Sequence, residues 1–331
     1  MTPRYDVIGI GNAIVDVLAR ADEDFLVYHG MAKGSMSLID ETRAEAIYSA
    51  MGPAIEISGG SAANTVVGVA SFGGKAAFIG IVKNDTLGGV FMHDIRAAGV
   101  GFAASPIKDG PATARSYILV TPDGERTMNT YLGAAQLLSA AEIEEDEVAA
   151  AKVTYLEGYL WDPRNAKDAF LKAAKIAHKA SRAVSLTLSD AFCVDRYRDE
   201  FRGLIKDGTV DLLFANESEL KSLYQTADFD TAAGVLQKEA KLAVVTRSEK
   251  GALVVTCDKI EAIDAFPVET VVDTTGAGDL FAAGFLYGFA RDLPHTASAR
   301  LGALAAAEVI SHLGARPDRK LADLARERKL L

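Results

Sequence analysis

Hydrophobic and polar positions alternate between two kinds of segment along most of the chain. The first is a short apolar run, Tyr5-Asp6-Val7-Ile8-Gly9-Ile10, which reads as a buried strand of a parallel sheet. Similar runs recur at 76–82, 153–157, 183–188, 210–214 and 242–246. Between them lie segments of helical period. Ala166, Ala169, Phe170, Ala173, Ile176 and Ala177, for example, follow the three-and-four spacing of one apolar face. Strands alternating with helices predict βαβ units and a parallel sheet covered on both faces, an α/β fold.

Two stretches break this rhythm. Residues 14–39 hold short apolar pieces without a clear helix, and 113–131 alternate like half-buried strands around the turn Pro122-Asp123-Gly124. Both are expected to form a small β-rich lid on the edge of one main domain that takes in all 331 residues. After Gly251, residues 252–263 read as a meander at the sheet edge. Helices are expected over 277–291 and 295–312, followed by a polar tail.

Composition narrows the class. With 49% hydrophobic and 24% charged residues, the chain is an ordinary globular one with enough length for a large core. Its net charge of −10 argues against nucleic acid, which needs a basic footprint. A small anionic ligand is still permitted, because backbone N–H groups at a helix start can hold one. No apolar run is long enough for a bilayer, and residues 1–6 lack the regions of a secretory signal. Two cysteines, Cys193 and Cys257, have no metal-ligand spacing and read as small buried hydrophobes in a reducing cytosol. The expectation is a cytoplasmic protein acting on a small molecule, with monomer and homodimer both open.

Four motifs carry candidate chemistry. In Asp273-Thr274-Thr275-Gly276-Ala277-Gly278-Asp279, a tight Gly-Ala-Gly runs into a long helical segment. That places free N–H groups at a helix N-terminus, where an anion is favoured. Asp279, in the first turn, could take a proton from a hydroxyl as it attacks phosphorus. Ser58-Gly59-Gly60-Ser61-Ala62-Ala63-Asn64 also enters a helix, and its glycines let a ligand approach the backbone. Gly9-Ile10-Gly11-Asn12-Ala13-Ile14-Val15-Asp16 begins like a dinucleotide fingerprint, but Ile14 stands at the third glycine position. Asn12 and Asp16 remain as polar groups, the carboxylate suited to vicinal hydroxyls. In Asn216-Glu217-Ser218-Glu219, Asn216 and Glu219 either cap a helix or hold Mg²⁺, directly or through water.

Together these segments resemble the ribokinase-like, or PfkB-type, carbohydrate and nucleoside kinase family. The resemblance rests on the run from Gly59 to Gly74, Ile79-Gly80-Ile81-Val82-Lys83-Asn84-Asp85, Asn216 to Glu219 and Asp273 to Asp279, all in the family's order. It implies a Rossmann-like three-layer α/β/α fold with a β-rich lid, and ATP-dependent phosphorylation of a CH₂OH group. It further implies Asp279 as base, Gly276, Ala277 and Gly278 as the anion hole, and Arg126 as a lid arginine reaching the phosphates. Asn12, Asp16, Gly59, Gly60 and Asn64 would contact the acceptor. Asn216, Thr246, Ser248 and Gly251 would contact ATP, and Glu219 would serve Mg²⁺. Many members also use a monovalent cation. Here Asp273 and Thr275 match that pattern for K⁺, with carbonyls near Val309, His312 and Gly314. Arg247 is large for the family's nucleotide loop.

Within the family, the stretch from Arg126 to Gly133 is more similar to nucleoside-kinase, adenosine kinase-type members. Ile14, Met36, Leu38, Tyr117 and Tyr131 offer apolar and aromatic surface suited to a purine. The expected acceptor is therefore a nucleoside, adenosine first, with a ribose- or fructose-type sugar as the alternative. A nucleotide-binding regulator without turnover is the rival from another class, and a pure binder would need no Asp279.

Overall fold

The structure is a computed structural model in which residues 2–331 are described. Its strands, in chain order, are β1 (Tyr5–Ile10), β2 (Ile14–Arg20), β3 (Met36–Leu38), β4 (Ala54–Gly59), β5 (Ala76–Ile79), β6 (Ala114–Val120) and β7 (Arg126–Tyr131). They continue as β8 (Ala151–Glu157), β9 (Ala183–Thr187), β10 (Leu212–Asn216), β11 (Leu242–Thr246), β12 (Ala252–Thr256) and β13 (Ile260–Ile263). Eight build the main sheet in the order β13-β12-β11-β10-β9-β8-β1-β5. From β5 to β11 the pairs are parallel, and β12 and β13 close the edge antiparallel.

Side chains of one strand go alternately to two cores. Val7, Val153, Tyr155, Leu212, Phe214 and Val244 share a core with the helices Ser61–Ser71, Ala277–Phe289 and His295–Val309. Ile8, Leu156, Leu186, Leu213 and Val245 share the other with Arg164–Lys179, Ala191–Lys206 and Phe229–Glu239. Burial on both faces is why these strands read as unbroken apolar runs. The result is the expected three-layer α/β/α architecture.

The second sheet has five strands in the order β3-β7-β6-β2-β4 and forms the lid. It is larger than 14–39 and 113–131 alone, because β4 adds an edge strand against β2. Asp85 ties the lid to the main sheet. Its side chain accepts from the Gly88 amide at 2.8 Å, and from the Thr113 hydroxyl and amide at 2.6 and 2.9 Å, just before β6.

Two local expectations differ. Residues 14–39 do contain a helix, Glu23–Tyr28, started by Asp22, whose carboxylate accepts from the Phe25 amide at 2.8 Å. It buries only Leu26, too little for a periodic signal. The C-terminal tail is likewise not simply polar. The helix Leu321–Glu327 buries Leu321, Leu324 and Ala325, and the Leu321 amide bonds Ser71 Oγ at 2.9 Å. Cys193 is buried as expected, whereas Cys257 is exposed, at the turn after β12. Among the described residues, no helix is long and apolar enough to cross a membrane.

Candidate active site

Two helices begin at the same place. The helix Ser61–Ser71 starts after Gly60, its N-cap, and Ala277–Phe289 starts after Gly276. Gly276 has φ +77°, and a Cβ there would meet Ala315 at 2.8 Å, so the turn needs glycine at this position. The Leu280 amide is the first to enter the second helix's ladder, bonding the Gly276 carbonyl at 2.8 Å. The Gly278 and Asp279 amides precede it, in the positive end of the helix.

Asp279 lies where the two helix starts converge. Its Oδ1 accepts from the Ser61 hydroxyl at 2.6 Å, and its Oδ2 accepts from the Asn64 side-chain amide at 3.2 Å. Thr65 Oγ1 donates to its main-chain carbonyl at 3.1 Å. Burial pushes its carboxyl up to about 6, against these hydrogen bonds, which favour the charged form. A carboxylate poised there is ionised at neutral pH yet basic enough to take a proton.

Asp16 reaches the same place from β2. Its carboxylate presses on the Cα of Gly59 in the paired strand β4, leaving no space for a side chain there. Burial raises it to about 7, while Arg316 and then Arg126 oppose the rise and Asp279 and Asp273 add to it. Arg316 was not singled out in the sequence. It donates to Ser58 Oγ and, from Nε, to Asn64 Oδ1 at 3.4 Å. Its signal in the sequence is a cation between Gly314 and Pro317, in the turn that follows a long helix.

Glu157, at the end of β8, is the second residue the motifs missed. Only 1% exposed, it accepts from the Asn12 side chain at 2.7 Å, the Asn12 amide at 3.4 Å and the Ala62 amide at 2.9 Å. It thereby joins β1 to the start of the helix Ser61–Ser71. Asn12 is thus a buried brace with its donor committed to Glu157, rather than a group reaching freely into the cleft.

Arg126 crosses from the lid to the loop before the helix Ala277–Phe289. Its guanidinium pairs with Asp273 Oδ2 at 2.5 Å and donates to Thr275 Oγ1 at 2.9 Å. Asp273 also accepts from the Thr275 amide at 2.9 Å and the Gly314 amide at 2.8 Å. Both candidate K⁺ side chains are therefore already engaged, and a cation there would have to share their oxygens.

Beyond β10 and β11 lies an open cleft of about 480 Å³, whose lining includes Asn216, Ser218, Lys221, Thr246, Ser248 and Lys250. Arg247, Lys250 and three hydroxyls suit an anionic nucleotide, while Glu217 and Glu249 also line the cleft and Lys221 is paired with Glu217 at 2.6 Å. Asn216 and Glu219 form a full capping box at its floor. Glu219 accepts from the Asn216 amide at 2.9 Å and side chain at 2.6 Å, and the Glu219 amide returns to Asn216 Oδ1 at 2.9 Å. Glu219 is 4% exposed, and burial raises it to about 7. Arg247 is itself part of the cleft's lining, its guanidinium over the Phe229 ring, 4.1 Å from the centroid, and beside Glu217. Gly251 sits behind the lining, in the turn that leads from the short helix Ser248–Lys250 into β12.

The lid's registers decide which residues can face an acceptor. Asp16 is level with Ser116 and Ile57, Ser116 with Thr130, and Met128 with Met36. Side chains level across a sheet share a face. The Asp16 face therefore carries Ile14, Leu18, Met36, Leu38, Ile55, Ile57 and Met128, with Leu38 56% and Ile55 65% exposed. Tyr117 and Tyr131 are one step out of phase. Tyr117 packs near Tyr48 of the helix Glu41–Ala50, and Tyr131 lies under Arg115. The expected aromatic platform is absent from the cleft, and an aliphatic one replaces it.

Comparison with known proteins places the chain in a family. The sequence pattern described as pfkB family carbohydrate kinase matches residues 55–321. An adenosine kinase structure from Sinorhizobium meliloti is 54% identical with a TM-score of 0.93, over 98% of this chain and 99% of that one. The structure of a probable sugar kinase from Rhizobium etli CFN 42 is 52% identical with a TM-score of 0.95, over the full length of both. A probable chloroplastic fructokinase from Arabidopsis thaliana is 31% identical over 71% of this chain, which spans 63% of that relative's length. The match over residues 55–321 shows the family: the chain is a member of the pfkB family of carbohydrate kinases, a phosphotransferase acting on a hydroxyl group.

Proposed function

We propose that the chain transfers the γ-phosphoryl group of ATP to the primary hydroxyl of a nucleoside, adenosine foremost, with Asp279 as general base. The observation that carries this reading is the placement of Asp279, bonded by Ser61 and Asn64 at the mouth of the glycine-started helix. Asp279 takes the hydroxyl proton as the oxygen forms its bond to the γ-phosphorus. The bond from that phosphorus to the β,γ-bridging oxygen breaks, releasing ADP. The Gly278 and Asp279 amides and Arg126 stabilise the charge on the transferring group, while the Ala277 amide is bonded to the Thr274 carbonyl at 3.3 Å. Asp16 and Asn64 hold the acceptor, and Asn216, Thr246 and Ser248 line the nucleotide's cleft.

The donor set fits Mg²⁺ carried on the nucleotide rather than one caged by protein. Among the described residues there is no cluster of three or more His, Cys, Asp or Glu able to hold a metal, and both Glu219 oxygens serve the cap. Asn216 and Glu219 would meet such an ion through its waters, and it would neutralise charge on the phosphate oxygens.

The aliphatic lid face built from Leu18, Met36, Leu38, Ile55 and Ile57 supports a nucleoside, since a purine face has use for such a cover and a free sugar has little. The 54% identical neighbour named adenosine kinase points the same way. A sugar acceptor is the second reading, favoured by the neighbour named probable sugar kinase and by the fructokinase relative. Coupled ADP-release kinetics with adenosine, guanosine, inosine, ribose and fructose test both. The expected result is the highest specificity constant with adenosine. A sugar exceeding every nucleoside tenfold overturns the acceptor, and silence with the whole panel overturns the kinase reading.

A further inference from the structure

We infer that Arg316 is a positioning residue for phosphoryl transfer: it fixes the Asn64 amide toward Asp279 and supplies the counter-charge that faces Asp16. The inference rests on the reading that Asp279 is the base and that Asp16 holds the acceptor.

Arg316 can only donate hydrogen bonds, so the atom of Asn64 that faces it must be the oxygen. With Oδ1 turned to Arg316 Nε at 3.4 Å, Nδ2 is turned to Asp279 Oδ2, 3.2 Å away. The orientation of that amide is therefore set by its neighbour and not by the amide itself. A second fork of the guanidinium is anchored on Ser58 Oγ, and Nη2 is buried without a hydrogen-bond partner, a donor held in reserve beside the acceptor site. The loop carrying Arg316 is itself pinned to the anion hole, since the Gly314 amide bonds Asp273 and Ala315 packs on Gly276. Arg316 thus joins three elements: the turn before the helix Ala277–Phe289, the helix of Asn64 and, through Ser58, the lid strand β4, whose next residue, Gly59, lies against the Asp16 carboxylate.

Asp16 is faced by Arg316 from the C-terminal loop, Arg126 from β7, Asp279 from the anion-hole helix and Asp273 from the turn before it. Two of these are cations and two are carboxylates, so loss of Arg316 leaves the carboxylates in the majority. Burial already brings Asp16 up to about 7, and brings the guanidinium down to about 10, Asp16 and Asp94 opposing that fall. Without Arg316, Asp16 would titrate higher still. At neutral pH it would then be mostly protonated, and its capacity to accept from two hydroxyls would be reduced.

The test uses Arg316→Gln and Arg316→Lys in the full chain. With whichever acceptor the wild type turns over best, Arg316→Gln is expected to raise KM at least tenfold at pH 7. KM should recover toward wild type by pH 9, as Asp16 ionises. The acid limb of kcat should move to higher pH, because Asp279 loses a hydrogen bond that favours its charged form. Arg316→Lys, which keeps the charge, should restore the KM profile but only part of the kcat limb. Independently of any substrate, a ¹³C-carboxyl titration, with Asp16 assigned through Asp16→Asn, should show its midpoint rising in Arg316→Gln and returning in Arg316→Lys. An unmoved Asp16 midpoint together with a pH-independent loss overturns the inference and makes Arg316 a structural tie. If the wild type phosphorylates no nucleoside or sugar, the functional reading fails by itself, and the titration still decides the role of Arg316.

Discussion

Ser61 Oγ donates to Asp279 Oδ1 at 2.6 Å, across 218 residues of sequence. The bond joins the first turns of two helices and holds the carboxylate in place while leaving it basic. Asp279→Asn is expected to keep ATP and acceptor binding and to lose about 10²–10⁴-fold in kcat, the span of general-base removal. In the wild type, kcat should fall with unit slope below about pH 6, where Asp279 takes up its proton. Single-turnover kinetics across pH 5–8 check both, and a variant within a few-fold of wild type removes Asp279 from the chemistry.

Four carboxyls, Asp16, Glu157, Glu219 and Asp279, titrate higher in the folded chain than an ordinary carboxylate does, at about 7, 7, 7 and 6. A group raised on folding binds its proton more tightly in the native state, so its contribution is complete below the unfolded value near 4 and lost as pH rises through the folded value. The melting temperature of the ligand-free protein should therefore decline from pH 5 to pH 8. Glu157→Gln should flatten that slope, while costing about 1–3 kcal/mol at low pH because one of its N–H donors loses its acceptor. Calorimetric melts of both proteins decide it. An unchanged slope in the variant would show that Glu157 is not among the titrating groups.

Glu219 has both its oxygens in a capping box with Asn216. Glu219→Gln is expected to lower stability by about 0.5–2 kcal/mol and also to raise the Mg²⁺ requirement more than the acceptor KM. Melting curves and a Mg²⁺ titration on the same variant separate the two effects. A stability loss with unchanged Mg²⁺ dependence leaves Glu219 as a cap alone.

Arg126 is the lid's electrostatic latch on the loop before the helix Ala277–Phe289, through Asp273 and Thr275. Arg126→Ala should reduce kcat strongly and also lower the melting temperature, because it leaves the buried Asp273 carboxylate without its counter-charge while the sheet ladder keeps the lid folded. In the wild type, hydrogen exchange over residues 113–131 should slow when both ligands are bound, because a phosphoryl donor must be shielded from water. Equal exchange with and without ligands would rule out a closing lid.

Much of this molecule was legible in its sequence because the signals were local. Buried parallel strands are apolar runs whatever their neighbours are. A glycine turn entering a long helix is a local pattern, so the helix start at Gly276–Asp279 could be found without knowing the fold. The Asn216–Glu219 pair was readable in the same way, and its capping alternative is the one present in the structure. Tertiary structure decided the rest. Which face of the lid Tyr117 and Tyr131 occupy depends on strand register, where a shift of one residue exchanges cleft for core. Glu157 and Arg316 lie in stretches with no motif. They gain meaning only when the end of β8 and a C-terminal turn are brought against the helix that starts at Ser61. A backbone turn carries its own chemistry, whereas a buried charge is defined by what the fold places around it.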